Sequence, residues 1–266
     1  MVDIHHHLLP GVDDGPVDIE LSVAMVEMAV EDGVTHIVAT PHANNAYEYH
    51  RPSHELLLQQ VREALPDRVR EKITLGLGSD FHLLFENIEE AKADPAKFSI
   101  NGKGYLMLEL PDHGIPRNLE EVLYSLRVAG LTPVLTHPER NATLQSSLEP
   151  LKSWLQGGLL LQVTANSVTG DFGKVAHRIS NLLLDNNWVH FVASDAHSVG
   201  RRNPRLSPAY ATVAKRRGEE TARRLFLENP LAAFEGQPLG EQPEALHLHE
   251  DLEPKSWWRR IFGSDS

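Results

Sequence analysis

The sequence predicts an α/β fold, a barrel of about seven parallel strands, irregular in outline and wrapped by helices. Three observations carry this expectation. Short β-branched and apolar runs alternate along the chain with stretches of helical period. About seven such units fit within 266 residues, a length that one large core can serve. Strand after strand ends in a histidine or a carboxylate, and barrels keep their chemistry at the C-terminal ends of their strands.

The first strand, residues 2–5, runs straight into His6 and His7. Three histidines in a row resemble an expression tag, but a tag is a longer run outside the fold, and this one lies between a strand and a Gly/Asp turn. A helix over 18–32 puts Leu21, Met25, Met28 and Ala29 on one face and is stopped by Gly33. The second strand is 35–40, followed by a helix over 53–65 with Ser53 as N-cap. Strands three and four are 72–77 and 105–110. A helix over 118–129 aligns Leu119, Val122, Leu123 and Leu126 and ends at Gly130. Strands five and six are 132–136 and 159–163. A helix over 173–186 leads to the seventh strand, 188–193, and a helical pattern over 212–228 breaks near Gly218. Beyond Pro230 the composition changes, and 236–254 reads as a Pro/Gly/Glu/Gln-rich linker or tail carrying His247 and His249. The expected division is a domain over 1–235 and an acidic tail over 236–266. That tail ends in Trp257-Trp258-Arg259-Arg260-Ile261-Phe262, which either docks on the body, the preferred reading, or meets a partner or membrane surface.

Composition excludes several function classes. The net charge is −12 and no basic stripe appears, so nucleic acid is not an expected partner. With no cysteine, disulfides, thiolate metal sites and cysteine-nucleophile chemistry are excluded. No apolar run approaches the ~20 residues of a membrane span. No basic-then-apolar leader is visible, so a cytoplasmic protein is expected.

The chemistry lies at the strand ends. The first ends in His5-x-His7, followed by Asp13-Asp14-Gly15; the second in Thr40-Pro41-His42; the third in Gly78-Ser79-Asp80-Phe81-His82. The fourth carries Glu109, the fifth His137-Pro138-Glu139-Arg140, and the last Asp195-Ala196-His197. Residues i and i+2 of a strand share a side, so His5 can converge with His7, and Asp195 with His197. Imidazole mixed with carboxylate suits Mn, Fe or Zn rather than an all-oxygen site. Nine candidates (His5, His7, Asp14, His42, Asp80, Glu109, His137, Asp195 and His197) exceed one ion's needs and fit two or three divalent ions. Two ions about 3.5–4 Å apart form a clamp for in-line displacement at phosphorus. Taken singly, each residue reads as a turn, a cap or a hydrogen-bonded structural group. Recurrence at one end of six strands is what favours a site. His6 should point away, and His82, beside Asp80, is a candidate for support from behind. His36, His50, His54, His113, His177 and His190 read as surface or packing residues. Arg140 and the pair Arg201-Arg202 offer guanidinium forks for phosphate, or else surface ion pairs.

These segments together resemble the polymerase-and-histidinol-phosphatase (PHP) superfamily, specifically the bacterial protein tyrosine phosphatases encoded with capsule and exopolysaccharide genes. The resemblance covers roughly residues 1 to 230. It implies a distorted (β/α)7 barrel with parallel strands and a trinuclear site, usually manganese. His5, His7 and Asp195 would hold one ion, and Asp80 would bridge it to a second held by Glu109 and His137. Asp14, His42 and His197 would hold the third. Arg140 and Arg202, the latter preferred over Arg201 on resemblance, would grip the phosphate, and Asp14 would assist proton transfer. The implied substrate is phosphotyrosine on the tail of a bacterial tyrosine kinase that governs polysaccharide export. Recruitment to the inner membrane by that kinase, and oligomerisation, are compatible with it. Asp80 departs from the Glu of many relatives, and His6 from their Ser. Two other readings stay open: a PHP hydrolase of a small phosphate ester or a phosphodiester, and a silent binding module of a polysaccharide assembly.

Overall fold

The computed structural model describes residues 1–111 and 114–249. Among the described residues nine parallel strands make up the sheets: β1 (Val2–His6), β2 (His36–Ala39), β3 (His42–Ala43), β4 (Thr74–Leu77), β5 (Asp80–His82), β6 (Tyr105–Glu109), β7 (Thr132–Thr136), β8 (Leu160–Thr164) and β9 (Phe191–Ala193). They pair as β1-β2-β4 and as β3-β5-β6-β7-β8-β9. The seven expected strands are thus present, but the second and third are each followed by a short further strand. Pro41, which has no N–H to give a ladder, separates β2 from β3. The seam is stitched by Gly78 N–H to the Ala39 carbonyl at 2.8 Å and Asp80 N–H to the Pro41 carbonyl at 2.9 Å. The ends of the ring meet through a bridge between His6 and Ala196. There Asp195 N–H donates to the His5 carbonyl and His7 N–H to the Ala196 carbonyl, each at 2.9 Å.

The barrel is distorted on one side. No ladder joins β4 to β6, and the turn Ile100–Gly102 lies against both. Asn101 fastens it there: its Oδ1 accepts from Leu77 N–H and its Nδ2 donates to the Phe234 carbonyl. Asn101 holds φ of 52°, a left-handed conformation that Asn tolerates better than most residues. A smaller apolar cluster draws chiefly on the strands (Val2, Ile4, Val38, Met107, Val134, Phe191), and a larger one lies with the helices. Met107 and Glu109 alternate onto the same face of β6, so packing at mid-strand gives way to a carboxylate at the end.

The helices start and stop for local reasons. Asp18 caps Ile19–Glu31 by accepting from Leu21 N–H at 2.8 Å. The second helix begins at Arg51, before Ser53, because Pro52 sits in its first turn. The last helical region begins at Ser207, earlier than expected. A remote cap sets this start: the Asp32 carboxylate accepts from Leu206 N–H, Ser207 N–H and Ser207 Oγ–H. Gly218, at φ of 92°, interrupts it as the sequence implied.

Residues 236–249, within the expected linker or tail, run along the barrel at the N-terminal ends of the strands. The Trp188 indole N–H donates to the Leu246 carbonyl at 2.9 Å, Leu246 N–H to the Asn186 carbonyl at 2.9 Å, and the Tyr105 hydroxyl to the Gln237 carbonyl at 2.7 Å. Composition pointed to solvent; backbone carbonyls, which composition does not register, hold the segment down. The terminal aromatic segment and His113 lie outside the described residues.

Candidate metal centre

The nine residues singled out in the sequence come together at the C-terminal ends of the strands, and six of them (Asp14, His42, Asp80, Glu109, His137 and Asp195) line a cavity of about 270 Å³. The pleat of β1 delivers two imidazoles. His5 Nε2 lies 3.5 Å from Asp80 Oδ2 and 3.6 Å from Asp195 Oδ1, and His7 Nε2 lies 3.9 Å and 3.5 Å from the same atoms. The register His42↔Asp80 between β3 and β5 brings His42 Nδ1 to 3.3 Å from Asp80 Oδ2 and 3.6 Å from Glu109 Oε2. Asp14 Oδ1 is 3.4 Å from His42 Nε2 and 3.2 Å from His197 Nε2. His82 Nε2 touches Glu109 Oε2 and lies 3.3 Å from His42 Nδ1. Three groups have ligand atoms within 4.8 Å of one another: His5, His7 and Asp80; His7, Asp14, His42 and His197; and His42, Asp80, His82 and Glu109.

These residues fit divalent cations. His5 Nε2, His7 Nε2, both Asp80 oxygens and Asp195 Oδ1 are buried and make no hydrogen bond. Leaving so many buried polar atoms unpaired is costly, and convergent carboxylate and imidazole donors are what a cation of the Mn, Fe or Zn type takes. The acid–base balance points the same way. Burial works against charge on His5, yet Asp80 and Asp195 push it up to about 9. Burial likewise opposes charge on His42, but Asp14 and Asp80 push it up to about 11. Burial, with the Asp80 charge, raises Glu109 to about 7. Despite burial, His5, Arg140 and Arg202 hold Asp195 well below the usual carboxylate range. The site thus gathers positive charge onto one focus of carboxylates.

Residues behind the ligand atoms set their orientation. Asp13 accepts from His7 Nδ1 at 2.7 Å, from Gly15 N–H at 2.9 Å and from His42 N–H at 3.2 Å. Gln162 Oε1 lies 3.0 Å from His5 Nδ1. Each leaves the Nε2 of its histidine facing the carboxylates. Asp3 accepts from Ser194 N–H at 3.0 Å and from its hydroxyl at 2.5 Å, tying the first strand to the loop of Asp195. His137 and Asp195 hold φ of 33° and 51°, strained values for non-glycine residues that cluster at functional sites.

Sequence reading and geometry differ at several positions. His82, a candidate for support from behind, lies in one tight group with His42, Asp80 and Glu109, while His137 Nε2 lies 3.4 Å from Glu109 Oε1 and is outside the three groups. Asp13, taken as a turn residue, and Gln162 were missed. A glutamine in the apolar run Leu160-Leu161-Gln162-Val163 was the available signal. His6 is buried away from the cavity, and burial lowers it to about 3. His36, His50, His54, His177 and His190 make packing or local hydrogen-bond contacts, as expected. Arg140 and Arg202 both reach the cavity, each donating to Asp195 Oδ2, the latter at 2.7 Å. Among the described residues no ion pair is formed by the Arg201 side chain.

Parallel strands arranged as a distorted barrel, with imidazoles and carboxylates converging beyond their C-terminal ends, define a metal-dependent hydrolase of the PHP type. The family model described as capsular polysaccharide synthesis, CpsB/CapC, matches residues 1–235, and the chain belongs to that family. It is 34% identical over 246 residues to tyrosine-protein phosphatase YwqE of Bacillus subtilis, covering 91% of this chain and 95% of that one. It is 36% identical over 204 residues to the putative tyrosine-protein phosphatase CapC of Staphylococcus aureus, covering 76% and 79%. The fold superposes with a TM-score of 0.85 and 32% identity, covering 92% of this chain and 98% of the other, on a chain from the crystal structures of YwqE from Bacillus subtilis and CpsB from Streptococcus pneumoniae. Those two are described as unique metal-dependent tyrosine phosphatases. Among the described residues no helix is long and apolar enough to cross a membrane.

Proposed function

We propose that this chain is a metal-dependent protein tyrosine phosphatase acting in capsular or exopolysaccharide synthesis. The observation that carries this reading is the buried focus of His5, His7, Asp80 and Asp195 atoms without hydrogen-bond partners, beside two arginines. His5, His7 and Asp195, with Asp80, would hold one ion; Glu109 and His82, with His137 adjacent, a second; Asp14, His42 and His197 a third. When bound, two or three ions, manganese first among them, supply Lewis acidity at the phosphoryl oxygens and make water a nucleophile near neutral pH.

The chain's own residues do the rest. Arg140 and Arg202 neutralise and orient the phosphoryl group, where charge builds in the transition state. Asp14, whose side chain is 47% exposed at the cavity mouth, is held ionised by His197 and His42, and as a hydrogen-bond acceptor it can orient a water and assist proton transfer. A mouth open at Asp14 suits a residue presented on a protein tail better than a small ester sealed from water. The substrate is accordingly the phosphotyrosine tail of a bacterial tyrosine kinase, met in the cytoplasm at the inner membrane. Hydrolysis of a phosphotyrosine peptide with added Mn, beside histidinol phosphate and a phosphodiester, tests this, with His42→Ala as control. Preference for the peptide, lost in the variant, is expected. Turnover of only the small ester overturns the substrate, and no turnover with metal bound overturns the enzyme.

A further inference from the structure

β8 carries no candidate ligand at its end, and the chain that follows it builds a wall. After Thr164 come the helix Ala165–Thr169 and a loop in which Gly170 and Gly173, at φ of 97° and 92°, flank Asp171 and Phe172. A groove of about 360 Å³ opens here, lined by Arg140, Gln145, Phe172, Ala176, Arg201 and Arg202. It shares Arg140 and Arg202 with the metal cavity. A phosphoryl group held by those two arginines would stand at the junction of the two spaces, with the groove open to its ester substituent.

The groove is built for an aromatic substituent. The Arg140 guanidinium carbon lies 5.0 Å from the centre of the Phe172 ring, which keeps the ring beside the phosphate-gripping arginine. Asn166, nearly buried, accepts from Phe172 N–H at 3.2 Å through its backbone carbonyl and donates through Nδ2 to the Arg201 carbonyl at 3.1 Å. One residue thus fixes the spacing of the two walls. A second cleft, of about 320 Å³, meets the metal cavity at Asn44 and His82, but its lining of Asn44–Ala46, His82–Leu84 and Pro111 carries no arginine or lysine. The first groove, with three arginines in its lining, is the one contiguous with the phosphate-side charge.

We infer that Phe172 is the specificity-determining residue of an aryl subsite, on which the tyrosyl ring of the substrate packs while Arg201 faces the peptide beside it. This rests on the phosphatase reading above. The test uses the full-length, Mn-loaded protein and its Phe172→Ala and Phe172→Tyr variants. The kcat/KM for a phosphotyrosine peptide is measured against that for a phosphoserine peptide of the same sequence. The Ki of a non-hydrolysable peptide carrying phosphonomethyl-phenylalanine is measured beside it. An aromatic contact of this kind is expected to lower the tyrosine-to-serine ratio and raise Ki by roughly fivefold in Phe172→Ala, with Phe172→Tyr restoring both and metal content unchanged. An equal loss on both peptides would mean that Phe172 only steadies Arg140, and overturns the subsite while the phosphatase stands. An unchanged ratio and Ki overturn it as well. Failure of the wild-type protein on both peptides overturns the phosphatase reading, and the subsite with it.

Discussion

Asp13→Asn tests the centre without touching a ligand. Asp13 Oδ1 accepts from Gly15 N–H, and Asn can keep that bond through its own Oδ1. Oδ2 accepts from His7 Nδ1 at 2.7 Å and from His42 N–H at 3.2 Å. An amide nitrogen placed there donates, so it meets two donors. His7 then presents Nδ1 as acceptor and carries its proton on Nε2, the atom that faces Asp80 and Asp195. A protonated Nε2 cannot bind a cation. Loss of an orienting carboxylate behind a ligand histidine costs ~10–100-fold in metal affinity, or about 1.4–2.8 kcal/mol. Mn affinity by competition with a chelator should weaken by that factor, and phosphatase activity at limiting Mn should fall with it while excess Mn restores most of it. Unchanged Mn affinity in a folded Asp13→Asn protein would refute the tautomer argument.

Gln162→Leu should weaken Mn binding through His5 in the same way, by about tenfold, while Gln162→Glu, which keeps an acceptor 3.0 Å from His5 Nδ1, should not; the same chelator competition decides it. His190 Nδ1 accepts from Leu161 N–H at 3.1 Å, and burial holds its pKa down to about 4 from 6.5. The unfolded chain therefore binds the extra proton between those values. The stabilisation is present in full above pH 6.5 and is lost as pH falls towards 4, a term of up to about 3 kcal/mol. His190→Gln, which still accepts, should show a smaller drop in urea midpoint between pH 7 and 5 than the wild type. A chain ending at Glu235 removes the acceptors of the Tyr105 hydroxyl and the Trp188 indole, and should lose about 2–4 kcal/mol of stability in denaturant. Its phosphatase activity should persist, since the site lies at the opposite ends of the strands.

The sequence by itself determined the seven-stave parallel pattern and which imidazoles and carboxylates stand at the strand ends. Strand and helix periods are local properties of the chain. A candidate ligand such as His42 or Glu109 advertises itself by residue type and by its place at the end of an apolar run. The break of the patterned helix at Gly218 was legible for the same reason, since a left-handed backbone is a local demand. Only the tertiary structure decided what depends on distance between remote segments. It brought His82 onto Glu109 and left His137 at the edge. It turned Asp13 from a turn residue into the partner of His7, and joined Gln162 to His5 across 157 positions. It set a helix start through Asp32, 174 positions before Leu206, and laid the Pro/Gly-rich segment against Trp188. The physical reason is common to these cases. A hydrogen bond or a shared ion is set by where two side-chain atoms meet in space, and that point is defined only once the barrel has brought its strand ends together.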